Sequence, residues 1–364
     1  MRTLEKLTIK NFKSIREQTL KLGRLNVFIG GNGAGKSNLI KIFPFVRRII
    51  LGELELHTGT SGGANGILHF GRKRSPSLMI EMEFGEHDLV KGYRFMLVPT
   101  EKDRFVFGEE AYWIHERDQY RARPFERHLG SGYVESKMST QLEDIPRHIV
   151  KDLLCYRLYH FHDTSSSADL KQTWNINDNQ VFNSNGSNLA AFLYYLQQNQ
   201  PDHLRGIEEI VRQVAPYFGG FVLQPTRENT QKIRLEWRHR GSDELWAADT
   251  LSDGTLRFIC LCTLLLQPTL PAIIILDEPE LGLHPAAIVI LAALLESASV
   301  RAQVLVATQS VTLLNQLTPS EVVTVERENE ATVLHPLAEI DQQSWVEGYS
   351  LGELWEKNIL GARP

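Results

Sequence analysis

Cysteine is scarce in this chain. Three residues (Cys155, Cys260 and Cys262) in 364 are too few for a disulfide scaffold, so reduced thiols in a cytoplasmic protein are the expectation. Positive charge is not in excess either. With 39 Lys and Arg against 44 Asp and Glu, the formal net charge is −5. The chain therefore lacks the global cationic field that holds nucleic acid non-specifically, and only a local basic groove stays open. The start, "MRTLEKLTIKNFKSI", has no apolar h-region of the kind a signal peptide carries. One apolar window, "FICLCTLLLQPTLPAIIIL" (258–276), is about as long as a membrane span. Gln267, Pro268 and Pro271 cut it into a helix-like and a strand-like half, so no membrane partner is expected. There is no internal repeat, and no sustained heptad pattern between residues 38 and 250, which excludes a long coiled-coil arm.

What is present is ordinary globular material with three stretches that carry chemistry. "GGNGAGKS" (Gly30 to Ser37) fits G-x-x-x-x-G-K-[ST]; it follows the apolar run Leu25, Val27, Ile29 and opens a helical stretch, "KSNLIKIFPFVRRII". Glycines let successive backbone N–H groups curl around a phosphate, which makes Gly30, Asn32, Gly33, Ala34, Gly35, Lys36, Ser37 and Asn38 the expected ATP-binding stretch. Lys36 would reach the β- and γ-phosphates, and Ser37 would offer its hydroxyl to Mg²⁺. "AIIILDEPELGLHP" places β-branched residues without alternation before Asp277 and Glu278. That pattern reads as a strand buried on both faces with a carboxylate pair at its C-terminal edge, where open α/β sheets bind ligands. Asp277 would hold Mg²⁺, and Glu278 would act as general base on the attacking water. "LSDGTLRFICL" (251–261) offers an N-cap, Ser252, feeding an apolar helix.

Taken together, phosphate loop, then LSDGT, then hhhhDE resembles the order of the ABC, SMC and RecF-type ATPase heads, with "LSDGT" in the place of their LSGGQ signature. Asp253 stands where the usual signature has glycine. "NFKSI", "SNGSNLAAFL", "LSDGTLRF", "DEPELGLHP", "ATQS" and "LGELWEKNILGARP" extend the likeness along the chain, which resembles the short RecF/OLD-like ATPases of bacteria. The resemblance implies an α/β fold: an ABC-type ATPase head with a mixed central sheet, an N-terminal antiparallel β subdomain and a helical insert. It implies residues 1–76 as a first lobe, 77–230 as β-meander and helical insert, and 231–364 as a second lobe. It also implies a homodimer closed around ATP, in which Ser252 and Gly254 of one protomer cap the γ-phosphate held by Lys36 of the other. Members of the wider group include subunits of anti-phage systems, so a nearby effector such as a nuclease is the expected partner. A nucleotide-dependent scaffold that sequesters a toxin or nuclease, and a RecF-like DNA repair ATPase, are the alternatives.

The strand-like "QVLVA" ends in Thr308-Gln309-Ser310. Relatives carry a γ-phosphate-sensing histidine there; Gln309 can donate a hydrogen bond but no charge, which implies slow turnover. Several other stretches carry weaker readings. Arg257 either relays closure or is a plain surface arginine, and His284 serves either an interface or a turn. His160 and His162 lack a well-spaced third metal ligand, and their stretch is a candidate partner-coupling loop. Cys260 and Cys262 read as core, Lys13 and Asn32 match positions near nucleotide in related heads, and the basic–aromatic run 115–128 reads as a solvated face. Residues 57–76, Gly/Ser-rich and carrying Arg72, Lys73 and Arg74, read as a mobile loop.

Overall fold

The computed structural model describes residues 3–86, 88–116, 125–339 and 348–362. The chain folds as two compact units: Met1–Leu158 with Ala272–Ile275 and Gln303–Pro364, and Tyr159–Pro271 with Leu276–Ala302.

The first unit holds a six-stranded antiparallel sheet in the order Ile15–Lys21, Thr3–Phe12, Leu78–Glu86, Leu89–Pro99, Phe105–Glu116, Phe125–Gly130. Its register puts Leu7 opposite Met82 and Ile9 opposite Ile80, so the apolar alternation of both strands falls on one face. The second six-stranded sheet runs Ala331–Pro336, Val322–Glu328, Leu25–Ile29, Gln303–Thr308, Ile273–Asp277, Leu158–Tyr159. Leu25–Ile29 is parallel to Gln303–Thr308 on one side and to Val322–Glu328 on the other. All five of its residues are buried; the one polar residue, Asn26, accepts from the Gly23 N–H (2.8 Å) and donates to the Gly23 carbonyl (2.9 Å). The helical run after the phosphate loop is two helices, Lys36–Ile40 and Ile42–Ile50. The break at Lys41 follows from Pro44, which has no N–H to return to the Ile40 carbonyl. Ile42, Phe43, Phe45, Val46, Ile49 and Ile50 join Leu7, Ile9, Ile80, Leu305 and Ala307 in one core. At about 1.5–3 kcal/mol for each large apolar side chain buried, this core anchors the phosphate loop's helix to both sheets.

The stretch 57–76 is not the loop its composition suggests. It contributes to two short helices, Leu54–Thr60 and Gly63–Ile67. Glu135 accepts from the N–H groups of Leu54 and Glu55 (2.9 and 2.8 Å), and Asp103 Oδ1 accepts from the N–H and side-chain amide of Asn65. A Cβ on Gly63 would lie 1.9 Å from Asp103 Oδ2, so glycine there serves close packing. Arg72 donates to the Thr100 and Glu101 carbonyls, and Arg74 stacks 4.9 Å from the Phe70 ring. Of the run 115–128, residues 117–124 lie outside the described residues; Glu126 pairs with Arg94 and Arg127 with Glu143.

The second unit is mainly helical: Leu189–Asn199, Pro201–Val214, Asp253–Leu266 and Pro285–Ser299, with a three-stranded sheet of Phe218–Val222, Glu236–His239 and Leu245–Ala247. Asp253–Leu266 is apolar all round and buries Phe258, Ile259, Cys260, Leu261, Cys262, Leu264 and Leu265, as a helix enclosed by its neighbours must. It ends at Leu266 and the strand begins at Ile273, so the long apolar window is a helix, a turn and a strand. Among the described residues no helix is long and apolar enough to cross a membrane.

Candidate nucleotide site

In the first unit, the strand Leu25–Ile29 delivers the chain to Gly30. Gly33 (φ 80°) and Gly35 (φ 116°) take the left-handed backbone that curls the loop. A Cβ on Gly30 would stand 2.2 Å from the Val325 carbonyl oxygen, and one on Gly35 2.0 Å from Thr332 Oγ1. The loop is thus pressed against the hairpin of Val322–Glu328 and Ala331–Pro336. Lys36 is 5% exposed, and its ammonium donates to the carbonyls of Gly30 (2.6 Å) and Gly31 (3.0 Å). The amine therefore lies across the loop it would neutralise phosphate in.

A brace behind the loop was not legible in the motif. Thr332, 1% exposed, donates from Oγ1 to the Ala34 carbonyl (2.8 Å), and the same oxygen lies 2.7 Å from Ser14 Oγ. Ser14 in turn accepts from Asn38 Nδ2 (2.8 Å). The serine of "NFKSI" and a threonine some 300 residues later together fix the loop and the first helical turn. Asn38, read as a nucleotide ligand, spends its amide on this brace; Asn32 is exposed and Ser37 half-buried. The Lys13 ammonium is held below the usual lysine range by burial and then by the nearby Lys41 charge.

Gln309 also lies in the first unit. Thr308 pairs with Ile29 in the parallel register, so the next residues, Gln309 and Gly30, leave the sheet at the same edge. Ser310 caps the following short helix, its Oγ accepting from Leu313 N–H, and its own N–H donates to Thr308 Oγ1 (3.0 Å). Behind that helix, Leu351, Leu354, Trp355 and Leu360 of the C-terminal segment pack with Ile29, Leu314 and Val322.

The second unit carries the other half of the predicted residues. Asp277 ends its strand, and Glu278 follows with φ 46°, a left-handed backbone that costs a non-glycine residue about 1–2 kcal/mol. Strain of this kind clusters where a side chain is aimed for function. Phe161, His162, Arg257, Asp277 and Glu278 line one small cavity. Ser252 is the N-cap of Asp253–Leu266, accepting from Thr255 N–H (3.1 Å), and Gly254 lies so near the loop after Glu278 that a Cβ would be 2.4 Å from the Gly282 carbonyl oxygen. Arg257 is not a plain surface arginine. Its guanidinium donates to the carbonyls of Leu281 (3.0 Å) and His162 (2.9 Å) and reaches Thr164 Oγ1 (3.3 Å), tying three segments. His284 does turn chemistry, its Nδ1 accepting from Ala286 N–H (3.2 Å) as the N-cap of Pro285–Ser299. His160 and His162 belong to neither of the two groups of three close ligating side chains among the described residues, Glu109–Glu126–His128 and Glu326–Glu328–His335. Cys260 and Cys262 are fully buried, and burial pushes both thiols well up.

Comparison with known proteins bears on this arrangement. Residues 3–48 match the family described as "AAA ATPase domain", and residues 156–315 the one described as "AAA domain, putative AbiEii toxin, Type IV TA system". A solved Smc head bound to the C-winged helix domain of ScpA superposes with a TM-score of 0.58 at 15% identity, over 91% of this chain and 96% of its own. The chain has the fold of these Smc ATPase heads. A second Smc head, with an extended coiled coil and bound to the C-terminal domain of ScpA derived from Pyrococcus furiosus, gives 0.58 at 14% identity, over 93% of this chain and 98% of its own. At such identity the likeness is one of fold, and it matches the expected mixed α/β head with its antiparallel sheet. No curated protein sequence matches at a significant level. Within this fold, the glycine loop and Gln309 belong to the first unit, and Ser252, Gly254, Asp277 and Glu278 to the second.

Proposed function

We propose that this chain is an ABC/SMC-type ATPase, a slow Mg²⁺-dependent ATP hydrolase that dimerises around ATP and regulates a partner effector, a nuclease being the expected kind, in anti-phage defence. The observation that carries the reading is the phosphate loop itself: left-handed Gly33 and Gly35, and a lysine ammonium lying across the loop between them and the strand. These residues would suit a nucleoside triphosphate. Lys36 would exchange two carbonyl acceptors for phosphate oxygens, a stronger charge-assisted pairing. Ser37 and Asp277 would hold Mg²⁺, which when bound offsets phosphate charge. Glu278 would accept the proton of the attacking water, and Gln309 would orient that water or a phosphate oxygen by an amide N–H. Ser252 and Gly254 would close on the nucleotide of a second copy.

Slow turnover follows from Gln309. An amide in place of a cationic donor forfeits one charge-assisted hydrogen bond, roughly 1–2 kcal/mol or about 5–30-fold in rate. The toxin–antitoxin wording of the family matched over 156–315 supports a role beside an effector. The same uncharged Gln309 favours, as second reading, a nucleotide-held scaffold that sequesters a toxin or nuclease with little hydrolysis. A RecF-like repair role gains no support from the net charge of −5.

The test is ATP hydrolysis per protomer, with Mg²⁺, across a range of protein concentrations beside Glu278→Gln. Turnover that rises with concentration and vanishes in the variant supports the enzyme reading. ATP binding with no turnover above the variant's would leave the scaffold.

A further inference from the structure

Asp253, the departure from the usual signature glycine, has a partner. Lys171 lies with Nζ 3.6 Å from Asp253 Oδ1, and its side chain is 9% exposed while that of Asp253 is 61% exposed. The same ammonium donates to the Thr164 carbonyl at 2.5 Å. The short turn Asp169–Lys171 that carries it is held in place by Asn185, whose Nδ2 donates to Asp169 Oδ2 (3.3 Å). A lysine this enclosed is uncommon without a reason.

The helix does not need it. A carboxylate in the first turn already suits the helix dipole, and Ser252 caps the helix without help. Charge supplies the reason. Asp253 sits between Ser252 and Gly254, the two residues that would meet a γ-phosphate, and an uncompensated carboxylate there would repel that phosphate. Asp163, accepting from Ser165 N–H and Oγ (3.1 and 2.7 Å), lies in the same field, its carboxyl held below the usual range by those bonds and then by the Lys171 charge. Lys171 thus has a second acidic neighbour besides Asp253.

We propose that Lys171 is a positioning residue that cancels the charge of Asp253, so that the Ser252–Gly254 turn can accept the γ-phosphate of ATP bound by a second copy of this chain. The inference rests on the trans-closure reading above. An uncompensated unit charge several ångströms from a phosphate, at the effective dielectric of a protein surface, weakens association by about tenfold or more.

The experiment uses the full chain with Glu278→Gln as background, so that ATP is retained, and sedimentation velocity with ATP and Mg²⁺ over a protein dilution series. Lys171→Met shifts the association midpoint about tenfold upward, and the shift shrinks at high salt. Adding Asp253→Gly restores the midpoint to within about threefold, while Lys171→Arg, which keeps the charge, stays near the background and covers a Met variant that fails to fold. A background protein that self-associates with ATP while Lys171→Met matches it, or a double variant no better than Lys171→Met, overturns the charge role alone. A Lys171→Met defect indifferent to salt does the same, pointing to a mere tether. A background protein that never self-associates with ATP overturns the trans-closure reading and this inference with it.

Discussion

Thr332→Val tests whether the brace behind the phosphate loop matters to nucleotide. The two side chains have nearly the same volume, so the substitution opens no cavity and removes only the hydroxyl. What is lost is a hydrogen bond of 2.8 Å to the Ala34 carbonyl and the 2.7 Å link to Ser14, in a side chain 1% exposed. A buried carbonyl left without its donor costs about 1–3 kcal/mol, and a methyl group cannot sit 2.8 Å from that oxygen, so the loop must move. If the loss falls on the conformation that binds phosphate, the dissociation constant for ATP rises by about 5–30-fold for the lower half of that range. Thr332→Ser keeps the hydroxyl, drops only a methyl, and is expected within about threefold of the parent. Titration with a fluorescent ATP analogue and thermal melting, run side by side, separate the possibilities. An unchanged dissociation constant with a lowered melting temperature would refute the functional part, leaving Thr332 a core residue. No change in either would refute the brace altogether.

Gln309→His restores a group that can carry charge beside the phosphate-loop strand; steady-state turnover is expected to rise about 5–30-fold, and to do so most below pH 7, where imidazole is protonated. Arg257→Met removes three polar links, to Leu281, His162 and Thr164, and should raise amide hydrogen exchange in both 160–165 and 280–284 rather than in one alone. Cys155 is half-buried, and burial followed by the Asp152 charge raises its thiol above the ordinary range. A raised pKa means less thiolate at pH 8 than a free cysteine has, so its alkylation rate should keep climbing past pH 9, while Cys260 and Cys262 stay unmodified until the second unit unfolds.

The sequence was readable wherever chemistry and local pattern coincide. "LNVFIGGNGAGKS" announces strand, loop and helix within thirteen residues, and "AIIILDE" and "QVLVATQ" announce buried strands ending in polar groups. The expected mobile loop at 57–76 failed because composition cannot register Glu135 and Asp103, which arrive from elsewhere to fix two helices there. The hairpin strand Ala331–Pro336 was missed for a related reason. Its turn residues Asn329 and Glu330 take φ 45° and 66°, and only the asparagine hinted at a turn. Yet that hairpin supplies Val325 and Thr332, the atoms that forbid a side chain at Gly30 and Gly35.

Those two glycines therefore answer to two demands at once. The motif explains them by phosphate; the structure explains them equally by the Val325 carbonyl at 2.2 Å and Thr332 Oγ1 at 2.0 Å from a Cβ. Loss of function on Gly30→Ala or Gly35→Ala would then say little about nucleotide, since misfolding of the loop gives the same result. Thr332 and Lys171 are better witnesses, because each can be altered in its hydroxyl or its charge while its bulk is kept. In this chain the motif residues show where the chemistry would be. The residues no motif contains are the ones whose substitution can show that it is.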